Sequence, residues 1–85
     1  WRAFGWHAIE IDGHDRAAIL AALAEAAATH DRPTIVIAYT IKGKGVSYME
    51  DRPLWHGSVK MKPDETRQAL AELGATETDI ATWMA

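Results

Sequence analysis

The chain has 85 residues, of which 48% are hydrophobic and 25% charged, and its formal net charge is −3. That length corresponds to one small domain or to part of a larger one, and the composition is that of an ordinary globular chain. The negative charge argues against general nucleic-acid binding, no apolar run approaches the roughly 20 residues of a membrane span, and the lack of cysteine excludes disulfides and thiolate metal sites. We expect a reducing, cytoplasmic setting.

The first predicted element is a strand over residues 6–12. His7, Ile9 and Ile11 alternate with other residue types, which is the period of a half-buried strand. Residues 1–4 resemble the end of a helix that began earlier. Because the first residue is Trp and not Met, we expect the chain to be a piece of a larger domain.

A helix is predicted next, over residues 16–29, since nearly all of these residues are strong helix formers. Asp15 is its expected N-cap, because a carboxylate can accept hydrogen bonds from the first helical turn. Pro33 lies beyond its end. One face of it contains four apolar residues, Ile19, Leu20, Leu23 and Ala27, and the alanines elsewhere leave a slim helix that can pack closely on both sides.

Residues 34–41 form a nearly unbroken apolar run, which is typical of a strand buried on both faces of a parallel sheet. Strand, helix and strand together make a βαβ unit, so we predict an α/β fold. The carboxyl ends of both strands then meet at one edge, where open α/β sheets bind their ligands. Any site is therefore expected in the segments that follow the strands.

The segment after the second strand, residues 42–62, is long and basic. Residues 40–62 contain five basic and two acidic residues, which suggests an anionic ligand. Lys42-Gly43-Lys44-Gly45 brings positive charge and glycines that permit close backbone approach. This pattern suits contact with a phosphate or diphosphate, although the motif alone favours a flexible, solvated basic turn. It is not a Walker loop.

Two histidine-containing motifs could carry chemistry. Trp55-His56-Gly57 lies in the basic segment, and histidine exchanges protons near neutral pH; a loop histidine can also be a plain surface residue. Asp12-Gly13-His14-Asp15 could form a metal site or a catalytic dyad. A turn at Gly13 and a cap from Asp15 are favoured there.

Two short helices are predicted to follow. The first begins at Pro63, with Leu70 and Leu73 inward, and ends at Gly74. The second begins with a capping box formed by Thr76 and Asp79. Its expected apolar stripe consists of Ile80, Trp83 and Met84.

In this order, GWHAIEIDGHD, an Ala-rich helix and RPTIVIAYTIKGKGVSYMEDRPLWHG resemble the thiamine-binding domain of transketolases, from Trp1 to about Leu73. DGHD, TIKGKG and WHG at these spacings are a specific combination. The chain is most similar to the shorter-loop form of animal enzymes and of split, two-subunit prokaryotic ones. The resemblance implies that residues 1–85 are the carboxyl-terminal portion of a thiamine-diphosphate-binding domain, a fragment of its parallel-sheet fold.

The family resemblance also implies an activity. Transketolases transfer a two-carbon ketol unit from a ketose phosphate to an aldose phosphate in the pentose phosphate pathway, using thiamine diphosphate and Mg²⁺. His56 matches the histidine that reaches the cofactor diphosphate and the substrate hydroxyl, Lys42 matches a basic residue against the cofactor, and Ile41 matches a residue near it. The family's GDG metal motif is absent from these residues. We therefore expect the metal ligands outside the chain, and a fragment that is inactive by itself.

The implied partners are the remainder of the domain and a pyrimidine-binding domain or subunit, in a homodimer or heterotetramer. Nucleic acid and membrane are not expected partners. Two alternatives remain open: a 1-deoxyxylulose-5-phosphate synthase or dihydroxyacetone synthase on the same scaffold, and a non-catalytic interaction module.

Overall fold

A computed structural model describes residues 1–85. The elements are a 3₁₀ turn at Arg2–Phe4, β1 at His7–Asp12, α1 at Arg16–Ala28, β2 at Thr34–Tyr39, a 3₁₀ turn at Pro53–Trp55, α2 at Pro63–Glu72 and α3 at Glu77–Trp83. They divide into two compact units, Trp1–Thr40 and Ile41–Ala85. None of the helices has both the length and the apolar character that a membrane span requires.

The first unit is the predicted βαβ arrangement. Strands β1 and β2 pair in parallel, with His7 opposite Thr34 and Asp12 opposite Tyr39. This confirms the α/β class. β2 ends at Tyr39, two residues before the predicted end, because its partner β1 has already ended at Asp12.

Helix α1 begins as predicted, and its buried line runs through alanines and not through the predicted apolar face. The Asp15 carboxylate accepts hydrogen bonds from the backbone N–H groups of Ala17 and Ala18. Ala22 is 2% exposed, whereas Leu20 and Leu23 are 69% and 57% exposed. Residues four apart share a helix face, so the half-buried Ala18 and Ala26 lie on the line of Ala22 and let the helix approach the sheet closely. Of the other two residues of the apolar face, Ala27 is exposed and Ile19 is half-buried.

Strand β2 is less enclosed than its sequence predicts. Residues 34–37 are half-buried, while Ala38 and Tyr39 are exposed. Helix α1 packs against both strands, and the His7 ring lies on that side, with its Nε2 2.6 Å from the Glu25 Oε1 of α1. Within this unit, one face of the sheet is therefore covered and the expected burial on both faces is not seen.

Gly13 makes the turn after β1, as predicted, and the structure adds a reason for glycine there. Its N–H donates to the Tyr39 carbonyl at 2.8 Å. A Cβ atom on Gly13 would lie 2.5 Å from Thr40 Cγ2 and 3.0 Å from Ala38 Cβ. A side chain would therefore push β2 away from the end of β1.

The second unit is built on α2 and α3, and its buried side chains are those of Val46, Ala69 and Ile80. Asp79 N–H donates to Thr76 Oγ1 at 3.2 Å and Thr76 N–H donates to Asp79 Oδ2 at 2.9 Å, which confirms the capping box. Gly74 follows α2 with a φ of 92°, as expected of a helix-ending glycine.

Two predicted inward residues of this unit are exposed instead. Leu73 follows the last residue of α2, where the chain leaves the helix, and its side chain is exposed. Trp83 is exposed because Ile80 and Met84, four residues apart, take the inward line of α3. Leu70 is half-buried, which agrees with its predicted orientation.

Candidate functional site

Residues 41–62 of the second unit contain all three predicted site residues, and the start of this segment is a tight, closed turn. Asp51 N–H donates to the Lys42 carbonyl at 2.8 Å, which joins the two ends of the turn. Gly43 has a φ of 70°, and a Cβ there would lie 2.8 Å from the backbone of Met49. The glycine is therefore required both by its left-handed conformation and by the close approach of the chain.

The two lysines of this turn differ in their surroundings. Lys44 Nζ lies 3.8 Å from Glu50 Oε1, and Glu50 Oε2 also accepts from the Gly45 N–H at 3.4 Å. The Lys42 side chain is exposed and has no ion pair or hydrogen bond within the chain. Its ammonium group is therefore available to an anion, whereas the charge of Lys44 is partly compensated.

His56 follows the 3₁₀ turn at Pro53–Trp55 and closes it. Its N–H donates to the Pro53 carbonyl at 3.0 Å, and its side chain is exposed. The next residue, Gly57, has a φ of 106° with no atom within 4 Å of a Cβ built there. The imidazole thus projects from a short ordered turn beside a residue without a side chain.

Trp55 connects this turn to α2 through Tyr48. The Tyr48 and Trp55 ring centroids are 5.1 Å apart with the planes tilted by 59°, a favourable aromatic arrangement. The Tyr48 hydroxyl donates to the Glu65 carbonyl of α2 at 2.5 Å. Burial of Tyr48, with smaller contributions from the charges of Glu65 and Glu72, raises its pKa above 10.0, so the phenol stays a donor.

A second attachment to α2 lies at Ser47. Its N–H donates to Glu72 Oε2 at 2.6 Å and its hydroxyl donates to Glu72 Oε1 at 2.7 Å. Gln68 Nε2 donates to the same Oε1 atom at 2.8 Å. Hydrogen bonds from Gln68 and then from Ser47 lower the pKa of Glu72 below 4.5, so the carboxylate is ionised at neutral pH.

The remaining predicted residues are placed as follows. Ile41 is exposed, and its carbonyl accepts from the Lys44 N–H at 3.2 Å. No hydrogen bond joins the side chains of Lys42 and His56. In the first unit, Asp12 Oδ1 accepts from the His14 N–H at 2.8 Å and Asp15 caps α1, so both carboxylates of DGHD serve the backbone, as the sequence favoured.

These donors fit a diphosphate. An exposed ammonium without a partner, glycines in a tight turn and an exposed imidazole provide positive charge and hydrogen-bond donors in one ordered segment. They do not provide the cluster of carboxylate oxygens that Mg²⁺ prefers.

Comparison with known proteins decides the family. The profile of the transketolase thiamine diphosphate binding domain matches residues 1–81. The chain belongs to this family. Its two parallel strands and helices, the α/β arrangement predicted from the sequence, are consistent with a fragment of that domain.

Several relatives carry transketolase names. The chain is 40% identical over 73 residues to the 6-deoxy-6-sulfo-D-fructose transketolase subunit SqwG of Clostridium sp. (strain MSTE9), covering 86% of this chain and 26% of that protein. It is 42% identical over 73 residues to an apulose-4-phosphate transketolase subunit of Actinobacillus succinogenes, with the same coverage. Human transketolase is 46% identical over 55 residues, which cover 65% of this chain and 8% of that protein. The transketolase family member described here thus spans about a quarter or less of these relatives' length.

Sequence reasoning missed the contacts that support the site. Ser47, Tyr48 and Glu72 were not singled out, because the pairs they form join residues 17 and 25 positions apart. The one available signal was the spacing of Gln68 and Glu72, which places two polar side chains on one helix face.

Proposed function

We propose that residues 1–85 are the carboxyl-terminal portion of the thiamine-diphosphate-binding domain of a transketolase. The complete enzyme would transfer a two-carbon ketol unit from a ketose phosphate to an aldose phosphate. The observation that supports this best is the basic segment of residues 41–62, in which the Lys42 side chain has no partner and His56 is exposed. This segment lies within a chain that matches the family over residues 1–81.

Each site residue has a proposed part in this reaction. Thiamine diphosphate, when bound, supplies the carbanion chemistry. Lys42 balances negative charge on the diphosphate, and His56 hydrogen-bonds both the diphosphate and a substrate hydroxyl, where it can hold or release a proton. Ile41 lies next to Lys42 and lends apolar contact near the cofactor. Trp55 limits the access of water to the His56 side of the turn.

The rest of the site is proposed to lie outside these residues. Mg²⁺ would be held by ligands elsewhere in the protein, and the pyrimidine part of the cofactor by a second domain or subunit, in a homodimer or heterotetramer. Two relatives are named as subunits, which supports an assembly of this kind. We propose a cytoplasmic location and a place in the pentose phosphate pathway.

The catalytic assignment is tested with His56→Ala in the complete protein that contains this chain. We expect kcat/KM to fall by about 100-fold or more, because a positioned acid–base group contributes that much. His30→Ala, at a position after α1 and outside the proposed site, is the matched control and should retain full activity. An unchanged rate in His56→Ala would show that the residue is not catalytic.

The reaction itself is tested with paired substrates. Conversion of xylulose phosphate plus ribose phosphate supports a transketolase, whereas conversion of pyruvate plus glyceraldehyde phosphate indicates the 1-deoxyxylulose-5-phosphate synthase alternative. A different preferred acceptor would indicate dihydroxyacetone synthase. A protein that binds its partner domain but converts none of these would be the non-catalytic module.

A further inference from the structure

The segment of residues 41–62, which contains Lys42 and His56, is attached to α2 at two points, and both use polar groups of the helix. At the first, Glu72 accepts from the N–H and the hydroxyl of Ser47 at 2.6 and 2.7 Å. At the second, the Glu65 carbonyl accepts from the Tyr48 hydroxyl at 2.5 Å. Two consecutive residues are therefore held by one helix.

Glu72 makes the first attachment with both oxygens of its carboxylate. Its two oxygens receive three donors, two from Ser47 and one from Gln68, and both oxygens act as acceptors. Charge-assisted hydrogen bonds are about twice as strong as neutral ones. Gln68, one helical turn earlier, fixes the carboxylate on the face of α2 that meets the turn.

The attachment at Ser47 and Tyr48 is connected to both Lys42 and His56. Val46, next to Ser47, is buried and accepts through its carbonyl from the Met49 N–H, and the segment then returns so that Asp51 N–H meets the Lys42 carbonyl. On the other side, Tyr48 contacts the ring of Trp55, which directly precedes His56. Ser47 and Tyr48 thus connect α2 to the part of the segment that carries Lys42 and to the part that carries His56.

We propose that Glu72 is a positioning residue: by holding Ser47 against α2, it helps to fix residues 41–62, the segment on which Lys42 and His56 meet the cofactor diphosphate. This inference rests on the proposed function. Without the carboxylate, the segment keeps its local backbone hydrogen bonds and the Tyr48 attachment but loses the attachment at Ser47, so part of the order of its donors must be restored when the anion binds.

The test is the affinity of the complete protein for thiamine diphosphate in the presence of Mg²⁺, measured by calorimetry. We expect Glu72→Ala to raise the Kd about tenfold and Ser47→Ala about fivefold, because hydrogen bonds to a charged group are lost. Ser47→Thr retains a hydroxyl and should restore most of the affinity. That rescue separates positioning from a general loss of stability.

Arg67→Ala is the matched control, because Arg67 lies on the same helix and its guanidinium is 3.3 Å from Glu77 of α3, not from the turn. Its Kd should remain that of the wild type. An equal rise in Kd for Arg67→Ala, or no rise for Glu72→Ala, would overturn the inference. If Glu72→Ala does not fold, the Kd values of Ser47→Ala and Ser47→Thr decide whether the attachment positions the site.

Failure of this inference is distinguishable from failure of the proposed function. If His56→Ala is inactive while Glu72→Ala binds the cofactor normally, the site stands and only the positioning role is wrong. If His56→Ala is fully active, the proposed site itself is wrong, whatever the Kd values of the Glu72 variants.

Discussion

At the scale of single residues, the candidate site is defined by which charges already have partners. Glu50 compensates Lys44, and Glu72 is occupied by Ser47 and Gln68. Lys42 has no such partner. Since an exposed ion pair at 3.8 Å contributes little to stability, the difference between the two lysines should matter for ligand affinity more than for folding.

Lys42→Met and Lys44→Met are therefore expected to change the affinity for thiamine diphosphate by different amounts. In the complete protein, Lys42→Met should raise the Kd for thiamine diphosphate about tenfold, because a charge-assisted contact to the diphosphate is lost. Lys44→Met changes the same net charge two positions away and should raise it less than about threefold. Calorimetry measures both, and equal effects would mean that only the overall charge of the turn matters.

Glu72 gives the second unit a predictable response to acid. Because its folded pKa lies below 4.5, its stabilisation is complete above that pH and is lost as the pH falls through the folded pKa. The gap in unfolding free energy between the wild type and Glu72→Ala should therefore shrink with decreasing pH. Urea unfolding between about pH 6 and about pH 3 measures this gap. A gap that stays constant with pH would contradict the role of the ionised carboxylate.

At the scale of elements, local patterns predicted which segments are helices and strands, and tertiary packing decided which faces they bury. β1, α1, the Asp15 cap and the Thr76–Asp79 capping box follow from period and from residues at the ends. Leu20 and Leu23 belong to the apolar face predicted for α1, yet the sheet accepts the line of Ala22 because alanine permits closer approach. Likewise, motifs located Lys42 and His56, but no local pattern contains the contact between Ser47 and Glu72.

The turn at Gly43 offers an element-scale prediction. Gly43→Ala places a methyl group 2.8 Å from the backbone of Met49 at a φ of 70°, so we expect a loss of more than about 2 kcal/mol in unfolding free energy. Gly74→Ala is the matched control, with a φ of 92° but open space around the Cβ, and should cost about 1 kcal/mol. Urea unfolding compares the two. Equal losses would mean that backbone strain alone sets the cost.

At the scale of the whole chain, one compact unit buries one side chain and the other buries three. The first buries Ala22, and the second buries Val46, Ala69 and Ile80. Large apolar residues such as Leu20, Leu23 and Trp83 remain exposed. Exposed apolar groups of this kind are typical of surfaces that contact another segment or protein, which agrees with a chain that spans 8–26% of the three named relatives.

Substitution of Leu20 and Leu23, the exposed leucines of α1, tests whether another segment covers this face. In the 85-residue chain, Leu20→Gln and Leu23→Gln should change the unfolding free energy by less than about 0.5 kcal/mol, because both side chains are largely exposed. In the complete protein, we expect each to cost about 2 kcal/mol or more, since another segment would cover the leucines. Thermal or urea unfolding of both forms provides the comparison. Equally small effects in the two forms would show that this face stays uncovered.

The crowding around Gly13 also has a genetic consequence. Every missense change of a single base in a glycine codon introduces a residue with a Cβ, and at this position that atom would lie 2.5 Å from Thr40 Cγ2. No missense step from the glycine codon is therefore free of a clash at the point where β1 turns away from β2. In a library of random point mutants selected for folding, missense changes at this codon should therefore be depleted relative to synonymous ones.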